Sequence, residues 1–530
     1  MKGARRLLII GLDGATFDLI DPWSAQGELP HFAALMKRGL RADLKSTIPP
    51  MTFPAWSSFM TGKNPGKHGI YDFVRRKPGS YELEFVGARF RKGPTIWRLL
   101  SDAGLRVGVM ALPTTYPPEA INGFMISGFD SPVSTGTDPS FIYPRSLFSE
   151  LNKQVGQYKI TDFQQFRTDR GWHARALSKI RETLERKAAI AAYLLKKEPW
   201  NCFMVLLGES DTVCHHFWMF HDPNSPRHPR KFESELGGAI LSIYQRLDAI
   251  VGQLISQAHS GTAAMLLSDH GFGGAGDKVV YLNRWLAREG FLRFRGKGVA
   301  GIWGASLLRS AGLKLLPLRV QERLFQKRSG WANALLSQTQ LGAIDWSQTR
   351  AFSTEINTLP AIWINMRGRE PEGIVAPGQE YERVREEIID ALSHFLNPET
   401  GQRVVAKAHR REELYHGPFL EEAPDLVLEL GLDDEYTYTC LSSLGRQSRG
   451  PIRVMNRSEW VGSKGQSMNG SHRRRGILLF TDGQSFPGGH LGTLSIEDMA
   501  PTILQFLGVP VPGDMDGRAI AEIVQGISPH

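Results

Sequence analysis

The chain has 530 residues, 41% of them hydrophobic and 22% charged, a balance that supports a buried core and excludes a disordered chain. Its net charge of +9 favours anionic partners such as phosphate esters, nucleotides, nucleic acid or a lipid surface, without choosing among them. Cys202, Cys214 and Cys440 show no CxxC spacing, which excludes a disulfide scaffold and predicts reduced, buried thiols in a cytoplasmic setting.

Lys2, Arg5 and Arg6 precede a short apolar run, but Asp13 breaks that run too early for a secretory signal. No window approaches the roughly 18 uncharged apolar residues of a transmembrane helix. Leu7 to Ile10, followed by Gly11-Leu12-Asp13-Gly14, reads as a central parallel strand that ends in an acid, and Leu29 to Gly39 as a helix with a glycine stop. An aspartate just past the carboxyl end of such a strand stands where open α/β sheets place ligands. The same residue type also caps turns.

The stretch from Pro49 to Ile70 is the predicted centre of the molecule. Pro49, Pro50 and Pro54 flank Thr52 and fix its presentation, while Ala55, Trp56, Phe59 and Met60 fall at helical spacing until Gly62 stops the run. A hydroxyl at the start of a helix meets the positive end of the dipole, which suits a nucleophile that will carry a phosphoryl group; it equally suits an N-cap. Farther on, Thr95 to Ala103 reads as a helix, Arg106 to Ala111 as a strand and Leu177 to Leu195 as a long helix, so the pattern predicts an α/β, doubly wound, mostly parallel sheet.

Cys202 to Leu207 forms a second buried strand that runs into a carboxylate, Asp211, with His215 four residues on. An aspartate and an imidazole at that spacing suit zinc or manganese, although His216 and His221 compete for the role. After a helix from Leu236 to Ala258, the strand Ala263 to Leu267 leads into Ser268-Asp269-His270-Gly271. Three strands thus end near an aspartate.

From Asn283 to about Arg350 the alternation lapses into a basic segment with Arg293, Arg295, Arg309, Arg319 and Arg323 among leucines. It suits a helical insertion packed on the core or an amphipathic element that contacts a membrane surface peripherally. Strands at Ala361 to Asn365 and Pro424 to Leu430, with a helix from Tyr381 to Phe395, predict a smaller α/β cap. His472 then shortly precedes an apolar strand, Ile477 to Phe480.

In this order, Gly11-Leu12-Asp13-Gly14, Thr52-Phe53-Pro54, Thr61-Gly62 with His68-Gly69-Ile70, Asp211 with His215, Ser268-Asp269-His270-Gly271 and His472 resemble the alkaline phosphatase superfamily. Thr-Phe-Pro and Ser-Asp-His-Gly are similar to its type I phosphodiesterase and nucleotide pyrophosphatase branch. The resemblance implies two divalent metal ions, zinc or manganese before magnesium. One would be held by Asp211, His215 and His472, the other by Asp13, Asp269, His270 and the Thr52 oxygen. It also implies an asparagine just after Thr-Phe-Pro, and that position is Ala55. Arg473 and Lys63 are the candidates to replace that phosphoryl contact. Thr52 cannot mature to formylglycine, which disfavours sulfate esters.

These readings predict a catalytic core from residues 1–283 and 466–530, a basic insertion at 284–350 and an α/β cap at 351–465. The expected function is metal-dependent hydrolysis of a small phosphate ester or nucleotide through a phosphothreonine, with diesters ahead of monoesters. A phosphomutase using the same two metals is the alternative, and a non-catalytic anion- or lipid-surface-binding protein a third.

Overall fold

The computed structural model describes residues 5–129, 139–156, 171–232, 234–295, 340–444, 450–460, 468–482 and 488–526. Most of the basic insertion, residues 296–339, and with it the expected membrane-surface element, lies outside the described residues.

A nine-stranded sheet forms the centre. In chain order its strands are β1 (Leu7–Leu12), β2 (Leu40–Lys45), β3 (Val107–Leu112), β4 (Gly123–Ser127), β5 (Ile142–Tyr143), β6 (Cys202–Leu207), β7 (Ala263–Leu267), β8 (Arg475–Thr481) and β9 (Gly489–Ser495). In space they run β9-β2-β8-β7-β1-β6-β3-β4-β5. The block β7-β1-β6-β3-β4 is parallel throughout, and β8 joins it antiparallel. Every residue of β1, β3, β6 and β7 is buried, as helices on both faces of a parallel sheet require, and this is why these strands read as unbroken apolar runs.

Helices α1 (Thr52–Thr61), α2 (Trp172–Lys197), α3 (Glu209–His221) and α4 (Ala239–Gln257) contribute buried side chains to the core around this sheet. All ten residues of α1 are buried, and Gly62 ends it in the left-handed conformation, at φ 66°, as the glycine stop predicts. Among the described residues no helix is long and apolar enough to cross a membrane. All three cysteines are buried and free.

The segment 351–465, expected as one cap, contributes to two sheets. Ala351–Phe352, Ala361–Ile364, Leu426–Leu430 and Val405–Arg410 make a four-stranded sheet with its own apolar core, which includes residues of the helix Gln379–Ser393. Tyr436–Cys440 and Ile452–Val454 instead pair with Gly271–Val280, the strand that leaves Asp269-His270. Residue spacing shows that a strand exists, but pairing is decided by which edges stand open in space.

The cap grips the core around the turn that precedes α1. The Tyr415 hydroxyl donates to Ile48 O (2.6 Å), the Tyr71 hydroxyl to Phe419 O (2.7 Å) and the Thr358 hydroxyl to Asp72 Oδ1 (2.7 Å). Asp72 is buried in this seam, and burial pushes its carboxyl up to about 7 despite the Thr358 bond. The folded protein therefore keeps Asp72 protonated at pH values where the unfolded chain, with an aspartate near 3.9, has lost the proton. Its contribution to stability is full below about pH 4 and declines as pH rises towards 7. Asp72→Asn removes that decline, so its thermal midpoint should exceed the parent's by more at pH 8 than at pH 5. Equal offsets at both pH values would contradict the buried, protonated carboxyl.

Candidate active site

Strands β6, β1 and β7 are adjacent and parallel, about 4.8 Å apart, so residues just beyond their carboxyl ends converge. Asp13 follows β1 directly, Asp269 follows β7 by one serine, and Asp211 lies in the first turn of α3 after β6. All three carboxylates are buried. Asp211 and His215 are one helical turn apart on α3, with His215 Nε2 3.1 Å from Asp211 Oδ1. His472 arrives from the strand Gly470–Arg473, which pairs antiparallel with Gly271–Val280 and places His472 opposite Phe272. The structure thereby brings together residues separated by more than 400 positions.

Two compact groups result, Asp211–His215–His472 and Asp13–Asp211–His270, with the ligand-type atoms of each within 4.8 Å of one another. Asp211 belongs to both. Asp269 stands outside these groups, but its Oδ2 lies 3.4 Å from His270 Nε2, as does Asp13 Oδ1. The Thr52 hydroxyl is 3.5 Å from the same nitrogen. All seven sequence-predicted ligand residues therefore meet at one end of the sheet.

The hydrogen bonds fix how the imidazoles face. His215 Nδ1 is 2.8 Å from Gly470 O, His472 Nδ1 2.8 Å from Pro50 O and His270 Nδ1 3.0 Å from Gly271 O. A carbonyl only accepts, so each Nδ1 carries a proton and in the neutral ring each Nε2 presents a lone pair. His215 Nε2 and His472 Nε2 then confront each other at 2.9 Å, and Asp211 Oδ1 lies 3.1 and 3.2 Å from them. Three acceptors at that separation repel unless a cation sits among them. Tetrahedral zinc with bonds of about 2.0–2.1 Å spaces its ligands by about 3.3 Å, close to this triangle. Asp269 Oδ2 is buried and accepts no hydrogen bond among the described residues, as a carboxylate reserved for a cation would. The residues fit divalent metal ions on these grounds.

The electrostatics point the same way. Burial, then the neighbouring charges of Asp13 and Asp211, hold the Asp269 carboxyl far above the usual range, and burial followed by His472 pushes His270 far below its own. Burial also lowers His472. A divalent cation reverses this balance, since it favours ionised carboxylates and neutral imidazoles alike.

The competing histidines lie elsewhere. His216 packs against Trp172 at 5.1 Å, and His221 against Trp23 at 5.6 Å and Trp218 at 5.8 Å. His68 is buried between Ser58 Oγ (3.0 Å) and the Ile70 N–H (3.1 Å), and burial lowers it to about 3; it pins the turn after α1. Lys63 lies at the far end of α1, about 15 Å along the axis from Thr52, and its ammonium pairs with Asp514. The Arg473 guanidinium is engaged with the carbonyls of Gly274 and Glu435, both 3.0 Å away, because its side chain alternates with that of His472 along the strand. Neither cation is brought to Thr52 by these contacts.

Two serines that directly precede an aspartate, Ser210 and Ser268, have a role that the motifs did not assign. Ser210 Oγ donates to Asp13 O (2.6 Å) and Ser268 Oγ to Ala15 O (2.8 Å), so the strands flanking β1 hold its loop from both sides. The repeated Ser-Asp pair was the available signal.

The sequence matches the type I phosphodiesterase / nucleotide pyrophosphatase family over residues 7–442. The chain belongs to that family. It is accordingly an enzyme of the phosphodiesterase and phosphohydrolase class, and His472 lies beyond the matched segment. No curated protein matches the sequence. Among solved structures it is similar to murine ectonucleotide pyrophosphatase / phosphodiesterase 5, at 13% identity and a TM-score of 0.52 over 98% of this chain and 99% of that one. It is also similar to phosphonoacetate hydrolase from Sinorhizobium meliloti 1021 in complex with phosphonoformate, at 15% identity and a TM-score of 0.54 over 99% of this chain and 95% of that one. These likenesses carry the alkaline phosphatase-like fold.

Crowded buried carboxylates give the cation a direct handle on stability. Adding zinc or manganese to chelator-treated protein should raise the thermal midpoint by several degrees, and Asp211→Asn, which touches both groups, should abolish most of that rise. An Asp211→Asn protein stabilised as strongly as the parent would contradict the shared carboxylate.

Proposed function

We propose that the protein hydrolyses phosphate diesters with two divalent metal ions, Asp211, His215 and His472 holding one and Asp13, Asp269, His270 and the Thr52 oxygen the other. The observation that carries this reading is the Thr52 hydroxyl, at the first position of a buried helix and 3.5 Å from His270 Nε2, beside both ligand groups. When bound, such ions supply Lewis-acid chemistry, acidifying a hydroxyl and neutralising charge on the phosphoryl and departing oxygens.

The chain's own residues do the rest. Trp56 Nε1–H donates to Asp13 Oδ2 (3.3 Å) and the Gly14 N–H to Asp269 Oδ1 (3.2 Å), which orients both carboxylates. Within α1 the Ala55 N–H bonds to Met51 O (2.9 Å) and Pro54 has none, so the helix leaves the Thr52 and Phe53 N–H groups outside its ladder. Those two backbone donors can hold a phosphoryl oxygen where Ala55 offers no side-chain amide. Thr52 Oγ forms a bond to phosphorus as the bond to the leaving alcohol breaks, giving a phosphothreonine that keeps the second ester substituent, and water then cleaves it to free Thr52 and release the phosphate monoester. Ser57 and Ser58 are excluded from that role by position: they lie deeper in α1, bonded to Thr114 Oγ1 (3.3 Å) and His68 (3.0 Å).

An aromatic group adjoining Thr52 supports the diester. The buried Phe53 lies 4.2 Å from Phe73 and 5.6 Å from Phe129, which is 40% exposed, and we assign this group to the second ester substituent. A cytoplasmic site of action remains part of this reading, supported by three buried thiols whose ionisation burial opposes.

Thr52→Ala should lower turnover on the order of 10³-fold or more while metal content persists, and phosphothreonine trapped at acid pH should map to Thr52 in the parent. Near-normal turnover in the variant would overturn the nucleophile. In a matched pair of aryl phosphates, kcat/KM for the diester should exceed that for the monoester. A strong monoester preference would refute the diester reading, and phosphoryl return to a sugar or glycerate acceptor without net hydrolysis would favour the mutase instead.

A further inference from the structure

One buried side chain cross-links the two elements that carry the Asp211–His215–His472 group, and it is not among the ligand residues. Asn469 directly precedes the strand Gly470–Arg473. Its N–H donates to His215 O (2.9 Å), its Nδ2 to His216 O (3.0 Å), and its Oδ1 accepts from the Met219 N–H (3.0 Å). Its own carbonyl accepts from the Ala275 N–H (3.0 Å) on the strand that follows Asp269-His270. Three bonds thus reach one turn of α3, and the fourth reaches the strand opposite.

The next residue tightens the seam. Gly470 O accepts from His215 Nδ1, and a Cβ at Gly470 would stand 2.3 Å from Cys214 O, so only glycine lets the strand approach the helix this closely. From the other side the buried Arg227 guanidinium donates from Nη1 to Met468 O (2.9 Å) and from Nε to Gly276 O (2.9 Å), holding the peptide before Asn469. The separation of His215 Nε2 from His472 Nε2, 2.9 Å, is set by how the strand sits on α3. No other side chain offers this pairing. Alanine loses both amide bonds, aspartate sets an oxygen against His216 O, and glutamine is one methylene too long.

We infer that Asn469 is a positioning residue, which fixes the distance between His215 and His472 and so the affinity of the Asp211–His215–His472 group for its cation, without touching cation or substrate. The inference rests on the metal reading of that group. Outer partners of metal ligands typically govern about 10- to 100-fold in affinity.

Chelator-treated full-length parent, Asn469→Ala and Asn469→Asp proteins are titrated with zinc against a competing chelator, with the metal-free thermal midpoint and the visible spectrum of the cobalt(II) forms measured alongside. In Asn469→Ala one of two zinc equivalents should weaken by about 10- to 100-fold with an altered cobalt spectrum, while the other stays unchanged. In an Asp211→Asn background Asn469→Ala should add no further loss. Unchanged affinities, or equal weakening of both equivalents in step with a lower metal-free midpoint, would overturn the positioning role. Should Asn469→Ala fail to fold, Asn469→Asp decides on the same criteria, since it keeps the volume and the Met219 bond. A parent that binds no divalent cation would overturn the metal reading and this inference with it, whereas a two-site parent with indifferent variants overturns the inference alone.

Discussion

The arrangement depends on one costly juxtaposition, three buried carboxylates beyond the ends of three adjacent parallel strands. Asp13, Asp211 and Asp269 are desolvated by the fold and repel one another, which is why Asp269 resists ionisation. Much of the surrounding structure answers that repulsion. Backbone and indole N–H groups point at the carboxylates, two serine hydroxyls fasten the Asp13 loop, and three imidazoles turn lone pairs rather than protons inward. The same repulsion that destabilises the bare site is what a divalent cation would relieve.

Thr52 owes its position to two parts of the molecule at once. The helix it begins is wholly buried in the core, with Trp56 against Asp13, whereas the turn before it is held by the cap through Tyr415 and by His472 through Pro50 O. Displacing the segment that carries Tyr415 would therefore disturb the turn that presents the hydroxyl. Phe53, next to Thr52 in the chain, packs against Phe73 and Phe129, so the start of the helix is braced by an aromatic group as well.

At 13–15% identity to the solved structures it resembles, few of this chain's residues are shared with them, yet the fold is the same. A parallel sheet buried on both faces asks only for apolar strands of adequate volume, which many sequences supply. The loops beyond the strand ends carry the demanding constraints, and family membership is legible there.

The sequence by itself determined the α/β class and the central strands, and it named the candidate residues beyond the strand ends. Unbroken apolar runs can only be buried strands or helices, and acids at their ends in a fixed order leave few chemistries open. Helix α1 and its glycine stop were equally legible, because both follow from local spacing and backbone conformation. Only the tertiary structure decided which residues face one another. That Asp211 is common to both groups, that Lys63 lies a helix length from Thr52, that Arg473 turns to carbonyls, and that Asn469 sets the seam all depend on strand order and on the approach of α3 to the strand Gly470–Arg473. Contacts across more than 200 residues leave no periodicity along the chain, and a polar side chain reads the same in sequence whether it faces a cation, a carbonyl or water.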